Sequence, residues 1–151
     1  MSEGDRYFDD LHTGDRFVSR GVTLTESSIV DFAVHYDPQR FHIDVEAARE
    51  SPYGGVIASG FQTLALGFRM FLQLGMLDSS SIGSPGMDEV RWLAPVRPGD
   101  TLHTEGEVLE ARPSSSKPDR GIIIMGMRIL NQRDDVVMTL KATMFILRRP
   151  G

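Results

Sequence analysis

Asp37 and His42 stand five positions apart with Pro38 between them. At that spacing, across a turn, a carboxylate and an imidazole can both reach one water molecule. Imidazole titrates near neutrality and burial raises a carboxylate toward the same range, so the pair could take a proton from water and hand one on. Adding water to an enoyl thioester requires both transfers. A purely local arrangement fits the same spacing: Asp37 caps nearby amides and His42 packs in the turn, and from spacing alone that is the commoner outcome.

A second candidate lies at Ser59-Gly60, just ahead of an apolar stretch. Ser59 can cap a helix there, leaving Gly60 among free amides at the positive end of the helix dipole, where developing negative charge is favoured. Lacking a Cβ, Gly60 would also let a thioester carbonyl come close. Simple loop-to-helix packing explains that glycine equally well. The other histidines, His12, His35 and His103, have no second motif beside them and read as surface or packed positions. A metal set of Asp37, His42 and Asp44 matches no established ligand spacing, so no metal is expected. Arg148-Arg149 reads as a solvated tail, and Lys117 with Arg120 as a solvated loop, although either could meet phosphate.

The elements that must position these groups follow from periodicity. Residues 16–19 after a Thr13-Gly14-Asp15 turn suggest a short strand. Thr25 caps an amphipathic helix carrying Ile29, Val30, Phe32 and Ala33, and Pro38 ends it near Tyr36. Residues 37–42 are then a loop, and a short helix starts at Asp44 and stops near Ser51-Pro52. From Ser59 a helix with Phe61, Leu64, Ala65, Phe68, Met70, Phe71, Leu72 and Leu74 is apolar nearly all round until Gly75 closes it, so it must be enclosed by protein. Residues 87–93, 101–111, 121–130 and 136–147 read as strands. In the last, Met138, Leu140, Ala142, Met144 and Ile146 alternate with polar residues, as in a sheet with one buried face. A helix followed by an antiparallel meander packs most economically with the sheet wrapped around the helix.

The 151-residue chain has the size of one domain, residues 1–151, without repeat or second unit. It lacks Cys, which removes disulfides, thiolate metal sites and cysteine nucleophiles. A net charge of −5 gives no global field for nucleic acid or anionic lipid. The acidic start over residues 1–10 is unlike a secretory signal, and residues 60–77 carry Gln62, Arg69 and Gln73 and are short for a membrane span. A cytoplasmic protein is the expectation.

Three ordered stretches resemble the MaoC-like acyl dehydratases, which include the R-specific enoyl-CoA hydratases. Phe32-Ala33 through Asp37-Pro38-Gln39-Arg40-Phe41-His42-Ile43-Asp44 is similar to the family's hydratase motif. Ser51-Pro52-Tyr53-Gly54-Gly55-Val56-Ile57-Ala58-Ser59-Gly60 resembles its approach to the central helix, and Trp92-Leu93-Ala94-Pro95-Val96-Arg97-Pro98-Gly99-Asp100-Thr101-Leu102 a phrase widespread among hot-dog proteins. The resemblance implies an α+β hot-dog fold and a homodimer. It also implies a thioester substrate on coenzyme A or acyl carrier protein, with no separate cofactor. It makes Asp37 and His42 the residues that act on water, and Gly60, beside Ser59, the residue whose amide meets the thioester oxygen. The family commonly has Gly before the Asp, Asn-Pro ahead of the His, and His before the helix glycine. Here Tyr36, Gln39-Arg40 and Ser59 stand in those places, and Tyr36 and Arg40 put bulk and charge beside the proposed site. The reaction implied is reversible hydration of a 2-enoyl-CoA. A hot-dog thioesterase and a non-catalytic acyl-CoA-binding subunit are the alternatives.

Overall fold

The computed structural model describes residues 4–151. Residues 1–3, the start of the acidic segment, lie outside the described residues. Helix α1 (Glu26–Tyr36) begins as its sequence requires: the Thr25 hydroxyl accepts from Ser28 N–H at 3.0 Å, and Ile29 and Ala33 turn to the core. Asp37 gives its amide to Ala33 O at 2.9 Å, and its own φ of −158° leaves the helix, as expected ahead of Pro38. The segment that follows is not the continuous loop expected. A single helical turn, α2 (Arg40–Ile43), forms from Gln39, whose carbonyl accepts from His42 N–H at 2.9 Å. Pro38 restricts the residue before it, not those after Gln39, so a new turn is free to start. Helix α3 (Val45–Arg49) is capped by Asp44, which accepts from Ala47 N–H at 2.9 Å.

Helix α4 (Gly60–Leu72) is the element the sheet curves around. Met70 and Phe71 are buried, each contributing roughly 1.5–3 kcal/mol of burial. Gly67 lets the helix sit close: a Cβ there would lie 2.5 Å from Ile129, and its carbonyl accepts from the Thr104 hydroxyl at 2.7 Å. Gly75 closes the turn after the helix at φ +78°, a conformation that suits glycine. The expected complete enclosure is not met within one chain. Phe61 is 56% and Leu72 38% exposed, Ala65 between them is exposed, and Phe68 is only partly covered.

The sheet contains β1 (Arg16–Val18), β2 (Val22–Thr23), β3 (Gly86–Trp92), β4 (Thr101–Pro113), β5 (Arg120–Leu130) and β6 (Val136–Leu147). Its order is β1-β4-β5-β6-β3, with β2 also on β4, and every pairing is antiparallel. Only β4, β5 and β6 form the meander; β3 pairs with β6 on the far edge. Residues 93–100, with Pro95 and Pro98, cross the end of the sheet instead of turning a hairpin. On the way Val96 O accepts from Ala58 N–H at 2.8 Å, which ties the crossing to the approach to α4. The alternating residues Leu102, Thr104, Gly106 and Val108 of β4, Ile123, Met125, Met127 and Ile129 of β5, and Met138, Leu140, Ala142 and Met144 of β6 are all buried.

Candidate active site

The three elements around Pro38 and Ser59 bring the sequence-predicted residues together. Asp37, at the end of α1, and His42, on α2, meet with Oδ2 and Nε2 3.3 Å apart and side chains only 14% and 5% exposed. His42 Nδ1 lies 2.7 Å from the carbonyl of Ile57. A carbonyl only accepts, so Nδ1 carries the hydrogen and Nε2 is the nitrogen turned to Asp37. Ser59, wholly buried, donates its hydroxyl to Asp37 Oδ2 at 2.7 Å and accepts from Phe61 N–H at 3.2 Å. One serine therefore caps α4 and holds the carboxylate. Gln39 donates to the other oxygen, Oδ1, at 2.8 Å.

These contacts reverse the expected direction of the Asp37 titration. Burial pushes its carboxyl upward, but the hydrogen bonds from Ser59 and Gln39, with the charge His42 can carry, together outweigh it and hold the group below the usual carboxylate range. Asp37 is thus a carboxylate at neutral pH. A water alongside the pair can give one hydrogen to Asp37 and the other toward Nε2.

Asp37, His42 and Gly60 open on a cavity of about 440 Å³ that is also lined by Phe41, Tyr53 and Trp92. Ser59 faces Asp37 instead of the cavity. Gly60 is the first residue of α4, and its N–H has no partner among the described residues. The space left by its missing Cβ is taken by protein: a Cβ would meet the Trp92 indole 2.5 Å away, and Trp92 Nε1 donates to Gly60 O at 2.9 Å. The side of Gly60 expected to stay open for a thioester carbonyl is therefore covered, while its amide is free. A larger cavity of about 640 Å³ lies on the opposite face of the sheet, among paired charges such as Arg16 with Glu107 and Arg128 with Glu105. It contains none of the acid–base groups described above.

The remaining sequence candidates sit elsewhere. His12 lies beside Asp15, His35 bonds Asp31 O within α1, and His103 is on β4. Asp44 is engaged in capping α3, and among the described residues no three His, Cys, Asp or Glu side chains converge as a metal set. Arg148 and Arg149 are not a loose tail: they pair with Asp9 and Asp10 and lie over Phe8 and Tyr7. Arg120 is not in the loop but opens β5, where it pairs with Asp119. Tyr36 is 70% exposed and packs against Phe32, away from the cavity lining. The sequence reading missed the roles of Gln39 and Trp92. Gln39 was visible only as a departure from the family pattern, and nothing in the sequence points Trp92 at Gly60.

Residues 11–121 match the MaoC like domain family. The chain is 42% identical to the solved MaoC-like dehydratase from Rhodospirillum rubrum, covering 97% of this chain and 99% of that one with a TM-score of 0.90. It is 31% identical to YdeM of Bacillus subtilis, over 93% of this chain and 98% of that protein. It is also 33% identical to the 3-hydroxyacyl-thioester dehydratase Z of Mycobacterium tuberculosis, over 58% of this chain and 60% of the relative. With its antiparallel sheet curled around α4 and these likenesses over most of its length, the chain belongs to the MaoC-like dehydratase family and has the hot-dog fold.

Proposed function

We propose that the chain is a hydro-lyase for acyl thioesters, reversibly adding water to a 2-enoyl thioester to form the 3-hydroxyacyl thioester. The acyl carrier is coenzyme A or an acyl carrier protein. The observation that carries this reading is the convergence on one cavity of an ionised carboxylate, an imidazole presenting Nε2, and an unbonded amide at the start of a helix. The relative named as a 3-hydroxyacyl-thioester dehydratase supports it.

In the hydration direction, Asp37 and His42 hold one water. Its hydroxyl adds to C3 while the pair takes the proton, and the electrons of the double bond move onto the thioester oxygen. The Gly60 amide, at the positive end of α4, donates to that oxygen as it becomes an enolate. Collapse of the enolate returns the proton to C2. Every step is acid–base chemistry, and no cofactor is invoked. Ser59 and Gln39 act by keeping Asp37 ionised and oriented.

The working form we propose is a homodimer in the cytoplasm. Phe61, Ala65, Phe68 and Leu72 lie along one side of α4, and β3 presents an unpaired edge, so a second copy could cover both. No helix among the described residues is long and apolar enough to cross a membrane.

The reaction is tested with crotonyl-CoA. Hydration removes the absorbance of the conjugated enoyl thioester and releases no thiol, whereas thiol release in the same sample would indicate a thioesterase. Binding without turnover across enoyl chain lengths would leave a non-catalytic subunit.

A further inference from the structure

Trp92 is the chain's single tryptophan and ends β3, just past the register shift between Asp88 and Arg91. It is 49% exposed, so burial in the core does not explain its position. Its indole touches Gly60 in two ways. Nε1–H donates to the Gly60 carbonyl at 2.9 Å, and the ring occupies the place of a Cβ, with Nε1, Cε2 and Cδ1 at 2.5, 2.6 and 3.0 Å from that point. The Phe61 ring stands edge-on to it, 6.4 Å away at 89°.

Glycine is the residue with the widest range of backbone angles, and the first residue of a helix has no intrahelical bond on its amide. The Ser59 cap fixes the Phe61 amide, not that of Gly60. The peptide plane that carries this N–H is held on its carbonyl side, where Ser59 O accepts from Gln62 and Thr63 N–H at 3.0 and 3.1 Å. The indole holds the other side of Gly60, and with its carbonyl bonded and its Cα covered little freedom is left to the torsions that swing the N–H. A donor to a developing oxyanion acts through being fixed before the charge appears. We infer that Trp92 is a positioning residue, which orients the Gly60 amide toward the thioester oxygen from the end of the neighbouring strand. This role rests on the proposed use of that amide in thioester hydration.

The test compares wild type with Trp92→Phe, which keeps an aromatic ring and loses the N–H. Turnover of crotonyl-CoA should fall about three- to tenfold, the scale of one neutral hydrogen bond. KM should change less than about twofold and the melting temperature should hold within a few degrees. Unchanged kcat, or a loss confined to KM, overturns the role and leaves Trp92 a wall of the cavity. A second readout needs no turnover. In protein labelled with ¹⁵N-glycine, butyryl-CoA should move the Gly60 amide proton downfield in wild type and clearly less in the variant. Equal shifts, or no shift in wild type, also overturn it. Failure of the hydratase reading is seen separately, as absence of hydration by wild type, and the amide shifts then decide the role of Trp92. If the Phe variant does not fold, the sulfur isostere of tryptophan, benzothienylalanine, replaces the single indole with its shape kept and its N–H removed, and the same comparisons apply.

Discussion

Asp37→Asn keeps the size of the side chain and removes its charge and basicity. The Ser59 hydroxyl can still donate to the remaining carbonyl oxygen, and Gln39 can turn its own carbonyl to the new amide, so both present contacts have a replacement. Turnover should drop at least about a hundredfold, the lower end for loss of an acid–base group, which is about 2.7 kcal/mol at the transition state. Stability follows from the lowered Asp37 titration. A carboxyl whose folded pKa lies below its unfolded value, near about 3.9, stabilises the fold above that unfolded value and ceases to as pH falls through the folded one. The variant should therefore melt somewhat below wild type at neutral pH, and the gap should close in strong acid. Initial rates with crotonyl-CoA and melting curves on the same samples check both parts. A folded Asn variant within about threefold of the wild-type rate would refute the role of Asp37.

Ser59→Ala removes a donor that holds the Asp37 carboxyl down, so the acid limb of kcat/KM should move to higher pH; an unmoved limb assigns it to another group. Gly60→Val drives a side chain into the Trp92 indole and should cost about 3 kcal/mol in transition-state stabilisation, with only modest thermal loss because Trp92 is half exposed and can swing away. An unchanged hydration rate would leave Gly60 a helix-entry residue. Wild type should scatter light as a dimer at micromolar concentration, and Leu72→Arg, on the uncovered side of α4, should shift it toward monomer. A monomeric wild type contradicts the proposed assembly.

Much of the arrangement was legible because it depends on local chemistry. Thr25, Asp44 and Ser59 cap the helices they precede, Pro38 releases Asp37 from α1, and strict alternation in β6 shows which residues face the core. The α2 turn was not legible: with four residues it is too short for periodicity, and it forms only because Gln39 starts a new turn. The place of β3 beside β6 depends on long-range pairing, which no local pattern encodes. The same holds for Trp92 on Gly60, a contact between residues 32 positions apart. The direction of the Asp37 titration also needed the structure, since burial alone argues the opposite sign and the deciding donor, Ser59, lies 22 positions away. Nor does the apolar pattern of α4 distinguish cover by its own sheet from cover by a second copy.

The central claim is that water is added across an intact acyl thioester, and the product formed in deuterium oxide tests it most directly. Incubation with crotonyl-CoA should give 3-hydroxybutyryl-CoA carrying one deuterium at C2, with the thioester retained and no free coenzyme A. Free coenzyme A without a hydrated thioester, or recovery of unchanged enoyl-CoA across short, medium and long chains, would contradict it.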